Sequence, residues 1–597
     1  MLHRRKLTRT IGGCFVCLTV SILWGTLAAA EARPPNVVLI VTDDQGYGDF
    51  GFHGNPILRT PALDAMARRS ARLAYFYVNP VCAPTRASLM TGRYNYRTRV
   101  VDTFVGRAMM DTDELTIAEI LRAHGYATGI FGKWHLGDNY PLRAMDQGFE
   151  EALVHRGGGI GQPSDPPDAV GKYTDPVLFH NGRKVRTKGY CTDVYFDAAL
   201  QWMQGVQREG RRFFAYLPTN APHGPFHDVP AELYDYYRKM DLRNSRFPQE
   251  QGHPLTTKEN VDRRARIFAM IDNIDRNVGR LFVRLDAMGL SEDTIVLFMV
   301  DNGPNGDRYV SGMRGRKADV YEGGIRSPFL VHWPHELKAG HVVEQVGAHI
   351  DVMPTILDAC GIEILSGRHI DGRSLLPLLK GESVSWPERT IFIQSHRGNQ
   401  PIRYHNFAAR SQHWKLVCAS GFRLEKPSGP PKFELYDMQN DSLEMRDLAG
   451  ERPAVLARVK AQYEEWFEDV SRTRQNNYSP PRIHLGTARE NPVVLTRQDW
   501  IHEVGRPWAA DSNGHWQLYV ARAGEYDIEV AWRSEPVVGM LRLEVAESTE
   551  IATVSPRATS FVFRRIRLQR GDLNLRAVLS FVHKVKGPWH VRVRVRS

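Results

Sequence analysis

Over the first two thirds of the chain, short unbroken apolar runs alternate with amphipathic stretches. NVVLIVTDD (36–44) is apolar until it ends in two aspartates, the pattern of a strand buried on both faces of a parallel sheet. TIAEILRAHGY opens with Thr116 and Glu119 at capping-box spacing and stops near Gly125, and ATGIFGKWHLG after it reads as strand and loop. RRFFAYLPTNAPHGPF (211–226) is a strand running into a Pro-rich loop. In the next long stretch Ile267, Ile271, Ile274, Val278, Leu281 and Leu285 share one helical face, Gly289 stops the helix, and the strand TIVLFMVDNGPNG follows directly. This alternation predicts an α/β domain over residues 33–384 with a mainly parallel central sheet flanked by helices. The Gly- and Pro-rich stretch 152–190 reads as a loop insertion near the mouth of a site.

From about residue 385 the pattern changes. WKLVCAS, FELYDM and the helical PAVLARVKAQYEEWFEDV predict a small antiparallel α+β subdomain over 385–475. Residues 476–482 read as a linker. Residues 483–597 hold short alternating strands with no helical period, which predicts an all-β accessory sandwich.

Composition is that of a globular protein: 42% hydrophobic, 24% charged, with a formal charge of +11 over 597 residues. The size calls for more than one core. Residues 1–32 run from basic (MLHRRKLTRT) to apolar to small, with cleavage expected after Ala30 or Ala32. That is the order of a signal peptide and implies a secreted or periplasmic protein; an uncleaved anchor is the alternative. The charge suggests an anionic partner, although several positives belong to that leader, and nucleic acid is not an expected one. The mature chain keeps four dispersed cysteines. One bridge among Cys191, Cys360 and Cys418 is conceivable, and Cys82 needs another explanation.

Polar clusters sit just past the carboxyl ends of predicted strands, where open α/β sheets bind ligands: Asp43-Asp44, Lys133 with His135, His223, and Asp301-Asn302. Asp43, Asp44, Asp301 and Asn302 are hard oxygen donors suited to Ca²⁺ or, less well, Mg²⁺. Taken singly, each such pair is usually a cap or a turn. Lys133 and His135, two apart, project to one side of an extended chain, and Lys317 adds a further cation. Cations around a divalent ion would bind a tetrahedral oxyanion.

VNPVCAPTRASLMTGR (78–93) carries Cys82, Pro84 and Arg86 in a C-x-P-x-R frame and resembles the signature of the type I, formylglycine-dependent sulfatases of the alkaline-phosphatase-like superfamily. TDDQGYGDFGFHGN, GIFGKWHLG, APHGPF, DNGP and GRKADVYEGGIRSP follow in the family's order; Thr85, where many members carry Ser, is a mild departure. The resemblance implies oxidation of Cys82 to Cα-formylglycine by a maturation enzyme and one Ca²⁺ held by Asp43, Asp44, Asp301, Asn302 and the modified Cys82. It further implies Arg86, Lys133 and His135 around the hydrated aldehyde, His223 and Lys317 on the sulfate with one of them protonating the leaving alcohol, and a covalent sulfoenzyme on the way to free sulfate. A sulfated carbohydrate is the expected substrate. His155, Arg156, Asp307 and Arg308 are candidates for its alcohol part, on segments that also read as plain surface loops. In HVRVRVR, His590, Arg592, Arg594 and Arg596 share one face, which suggests that residues 483–597 bind a polyanionic glycan or, more blandly, brace the enzyme. A formylglycine-dependent phosphonate or phosphodiester hydrolase, an inactive glycan-binding homologue, and an enzyme left inactive by an unmodified Cys82 are the alternatives.

Overall fold

The computed structural model describes residues 34–364, 367–474, 476–509, 511–533, 539–555, 558–581 and 584–596; the leader expected at 1–32 lies outside them. Ten strands form the central sheet. In chain order they are β1 (Asn36–Thr42), β2 (Ala71–Leu73), β3 (Ala127–Lys133), β4 (Glu151–His155), β5 (Val177–His180), β6 (Arg183–Arg186), β7 (Phe213–Pro218), β8 (Thr294–Val300), β9 (Phe329–His332) and β10 (Val342–Val343). Their order across the sheet is β10-β2-β9-β8-β1-β7-β3-β4-β5-β6. The five middle strands, β8-β1-β7-β3-β4, are parallel. Every residue of β1, β3, β7 and β8 is buried, which is why these segments read as unbroken apolar runs. Register aligns their carboxyl ends: Thr42 lies beside Val300, Val41 beside Pro218, and Lys133 beside His155.

The helices cover both faces. The 27-residue helix Val261–Ala287 buries the isoleucine, valine and leucine face seen in the sequence, and Asn260 caps it by accepting from the Arg263 amide. The Thr116–Glu119 capping box closes as the spacing predicts. The stretch 152–190 is more than a loop: β5 and β6 form a hairpin that extends the sheet antiparallel from β4.

A four-stranded antiparallel sheet (strands Ile391–Gln394, Phe407–Arg410, Trp414–Cys418 and Glu434–Asp437) and the helix Pro453–Val470 follow. They are joined to the first body by buried polar contacts, with Lys415 Nζ 2.9 Å from Glu322 and 2.6 Å from Glu444. From Ile483 onward two sheets enclose a core around Trp500, Trp516 and Leu518. Val105, Met109 and Leu142, all from the α/β body, belong to that same core, so the last module shares its hydrophobic interior with the first.

Two sequence readings can be set beside the structure. Cys82, Cys191, Cys360 and Cys418 are all buried free thiols, so no bridge forms among them. The arginine ladder of the final strand, His590–Val595, lies beside an acidic one: Arg592 pairs with Glu529 at 2.8 Å and Arg596 with Asp527 at 3.0 Å, while His590 is buried. Two of the three arginines on that face are thus paired within the fold, and Arg594 is exposed.

Candidate active site

The helix α1 (Cys82–Thr91) explains the spacing of the C-x-P-x-R frame. Cys82 and Arg86 are one helical turn apart on the same face, and Pro84 falls in the first turn, where a missing N–H costs nothing. The whole helix is buried and points its first residue at the carboxyl ends of β1 and β8. Arg86 is fixed by three donations. Nε and Nη2 reach Asp301 Oδ2 at 3.2 and 2.7 Å, and Nη1 reaches the Lys133 carbonyl at 3.2 Å.

Around Cys82 the strand-end residues converge. Lys133 Nζ lies 2.6 Å from Asp43 Oδ2, and Lys317 Nζ contacts Asp44 Oδ1 and lies 3.5 Å from Cys82 Sγ. His223 Nε2 is 3.7 Å from Asp44 Oδ2, and its Nδ1–H donates to the Gly224 carbonyl at 2.6 Å. Ligand atoms of Asp43, Asp44 and His223 lie within 4.8 Å of one another, as do those of Asp43, Cys82 and Asp301. Asp44 and His135 hold positive φ values of 62° and 61°, a conformation that bulky residues adopt only where their surroundings enforce it.

Three buried oxygens, Asp43 Oδ1, Asp44 Oδ2 and Asn302 Oδ1, have no hydrogen-bond partner. An unpaired buried acceptor is costly, and these three, on residues that contact one another, are atoms that could hold a cation. Asn302 is oriented for it, since its Nδ2 donates to Asp44 Oδ1 and the Gly303 carbonyl at 2.9 Å each. The donor set is carboxylate and amide oxygen, so the residues present fit a Ca²⁺ ion.

Electrostatics follow from burial set against this charge cluster. Burial would raise the Asp44 carboxyl, but Lys317 and His223 hold it well below the usual carboxylate range. Burial and then Asp43 push Asp301 up to about 6 despite Arg86. Burial raises the Cys82 thiol against the pull of Lys133 and Lys317. It lowers His223 to about 4, and with Lys133 it lowers His135 well below the ordinary histidine value. Lys317 goes up, since Asp44 and Cys82 outweigh its own burial.

Each of the four residues expected to meet the alcohol part has a partner within the fold. Arg308 is buried, with Nη2 2.7 Å from Asp49 Oδ2 and also 2.7 Å from the Asp44 carbonyl; its donors hold the β1 loop together. Arg156 pairs with Glu490 of the last module at 3.2 Å and lies over the Phe179 ring. His155 is buried, donates from Nδ1 to the Arg156 carbonyl, and is held neutral by burial at about 3. Asp307 is an exposed partner of Arg316 at 2.5 Å.

The Gly157–Gly159 run lies in the stretch expected near the mouth of the site: a Cβ on Gly158 would lie 2.8 Å from the His135 ring, and one on Gly159 3.1 Å from His223 Nδ1. A contributor with no sequence signal is Gln498, from the last module. Its Nε2 donates at 3.0 Å to the Thr103 carbonyl, which also accepts from His135 Nε2 at 2.7 Å. His135 Nδ1 is thereby left as a buried, unpartnered acceptor.

A parallel sheet with a buried metal-type cluster, a helix-borne nucleophile position and converging cations defines an alkaline-phosphatase-like hydrolase. The sulfatase family model matches residues 35–362, and a second model, described as the C-terminal part of N-sulphoglucosamine sulphohydrolase, matches 316–472. The chain belongs to the sulfatase family and is a sulfuric ester hydrolase. It is 31% identical to arylsulfatase A of Homo sapiens over 473 residues (72% of this chain, 87% of that protein). It is also 31% identical to N-acetylgalactosamine-6-sulfatase of Mus musculus over 407 residues (63% and 71%). Among solved structures it is similar to Ps i-CgsB in complex with k-i-k-neocarrahexaose, with TM-score 0.62 and 26% identity over 74% of this chain and 94% of that one.

Proposed function

We propose that the protein hydrolyses a sulfate ester of a carbohydrate, with Cys82 converted to Cα-formylglycine and Ca²⁺ held by Asp43, Asp44, Asp301 and Asn302. The observation that carries this reading is the trio of buried, unpartnered oxygens on Asp43, Asp44 and Asn302 beside Cys82. When in place, the aldehyde hydrate supplies an oxygen nucleophile at position 82 and the ion neutralises charge on the sulfate oxygens. Support for a carbohydrate comes from the N-acetylgalactosamine-6-sulfatase relative and from the oligosaccharide-bound Ps i-CgsB neighbour. The expected leader places the enzyme outside the cytoplasm.

The chain's own groups divide the work. Arg86, locked on Asp301, keeps a fixed positive charge one turn from position 82. Lys133 orients Asp43, and Lys317 stands within reach of the nucleophilic position and of Asp44. His223 is held neutral with its Nδ1 proton on the Gly224 carbonyl, so its Nε2 is an acceptor. Lys317 stays protonated and is the proton donor to the leaving alcohol. The Gly157–Gly159 run packs directly against both histidine rings, where a side chain would clash.

The test is sulfate release from a panel of sulfated saccharides alongside paired sulfate and phosphate esters of one alcohol, with peptide mass across residues 78–93. Sulfate release together with loss of mass at Cys82 is expected. Preference for the phosphate ester, or an active enzyme with an intact cysteine, overturns the reading.

A further inference from the structure

Beside the catalytic cluster lies a cavity of about 300 Å³, between the first turn of the helix Val261–Ala287 and the loop that follows β8. Its lining includes Lys258, Arg263, Arg264, Arg308 and Arg316 against only two carboxylates, Glu259 and Asp307. Most of these charges have partners within the fold. Arg308 is paired with Asp49 and Arg316 with Asp307, Arg264 donates to the Leu242 carbonyl and Asn244, and Glu259 accepts from the Asn244 amide.

Arg263 differs. Among the described residues it forms no ion pair; its Nη2 touches only Asn305, at 3.3 and 3.4 Å, and its Nε is buried without a partner. The guanidinium lies over the Phe226 ring, 4.7 Å from the centroid. These two neighbours place it. Phe226 is three residues past His223, Asn305 three residues past Asn302, and Arg316 directly precedes Lys317. The loops that build the sulfate site therefore also wall this cavity. A half-buried, unpaired guanidinium stacked on an aromatic ring is preorganised for bidentate recognition of a planar or tetrahedral oxyanion.

We propose that this cavity is a subsite for a second anionic group, sulfate or carboxylate, on the saccharide whose sulfate ester is cleaved, with Arg263 as its principal contact. The idea rests on the sulfatase reading above and narrows its substrate class to polyanionic saccharides.

Binding to the full-length Cys82→Ala protein, loaded with Ca²⁺ and followed by calorimetry, tests it without turnover. One pair of ligands is galactose 4,6-disulfate against galactose 6-sulfate. The other is a 6-sulfated disaccharide with a uronate against the same sugar with its carboxyl reduced. We expect the doubly anionic member of at least one pair to bind about tenfold more tightly. The pair that shows the preference identifies sulfate or carboxylate as the group. Adding Arg263→Gln collapses that ratio to about one, and Arg263→Lys, which keeps charge without the fork, leaves an intermediate ratio. Equal affinities within both pairs, or a ratio unmoved by Arg263→Gln, overturns the proposal. Failure of the parent protein to release sulfate, once loss of mass at Cys82 is verified, overturns the reading proposed above instead, and the two failures are read from separate measurements.

Discussion

At position 317 a single ammonium reaches both Cys82 Sγ and Asp44, and its proposed role can be tested by the choice of leaving group. If Lys317 protonates the leaving oxygen, Lys317→Ala should slow saccharide sulfates on the order of 10²–10³-fold. It should slow nitrophenyl sulfate much less, because a nitrophenolate departs unaided. A leaving-group dependence that appears in His223→Ala and is absent from Lys317→Ala would exchange the two assignments. Arg308 illustrates the opposite case. It is cationic and lies in a site-proximal segment, yet its side chain is only 3% exposed and is held on Asp49 even where it lines the cavity. Arg308→Leu leaves that carboxylate uncompensated and should lower stability by about 3–5 kcal/mol, read as a drop in the denaturation midpoint. Exposure and pairing are three-dimensional properties that charge patterning along a chain does not carry. For the same reason Arg263 stayed hidden: as one of three arginines in RRAR it looks like a solvated helix end.

Among the elements, the middle of the sheet was legible and its attachments were not. Strands β1, β3, β7 and β8 are unbroken apolar runs that stop at charged or amide residues, so both the strand and the site at its end can be read from one local pattern. The hairpin β5–β6 reads as loop because its strands are four residues each, too short for a period, inside a Gly- and Pro-rich stretch. The contact from Gln498 to Thr103 spans 395 residues and has no local signature at all. It gives an element-level prediction. Gln498→Leu should lower kcat about tenfold by loosening the carbonyl that orients His135. In a His135→Ala background the same change should add little further loss, whereas a purely structural role would make the two losses multiply.

On the scale of the whole molecule the last module is built into the enzyme. Its hydrophobic interior takes in Val105, Met109 and Leu142, and its Glu490 accepts from the Tyr140 amide at 2.7 Å and pairs with Arg156. A chain truncated before Ile483 should lose activity and bind a hydrophobic dye, because those apolar residues become exposed. The seam between module and α/β body also holds Asp138 and Asp499, each with an unpartnered buried oxygen. Burial, with a smaller push from Glu490, raises Asp138 to about 6 from 3.8. Burial and then Asp138 raise Asp499 well above its ordinary value. A carboxyl raised on folding stabilises fully below its unfolded value and loses that contribution as pH rises through the folded one. Stability should therefore fall between about pH 4 and pH 6 on this account, and Asp138→Asn should flatten that slope in thermal melts taken across the range.

The burial of the helix that begins at Cys82 sets an order of events in the life of the protein. All ten of its residues are enclosed, and the cysteine itself is 2% exposed. On the proposed conversion of Cys82, an oxidising enzyme would have to reach a side chain that the finished fold encloses. Conversion would then precede folding, and a molecule that folded first would keep its thiol. The fraction of active enzyme in a preparation would in that case record a race between maturation and folding.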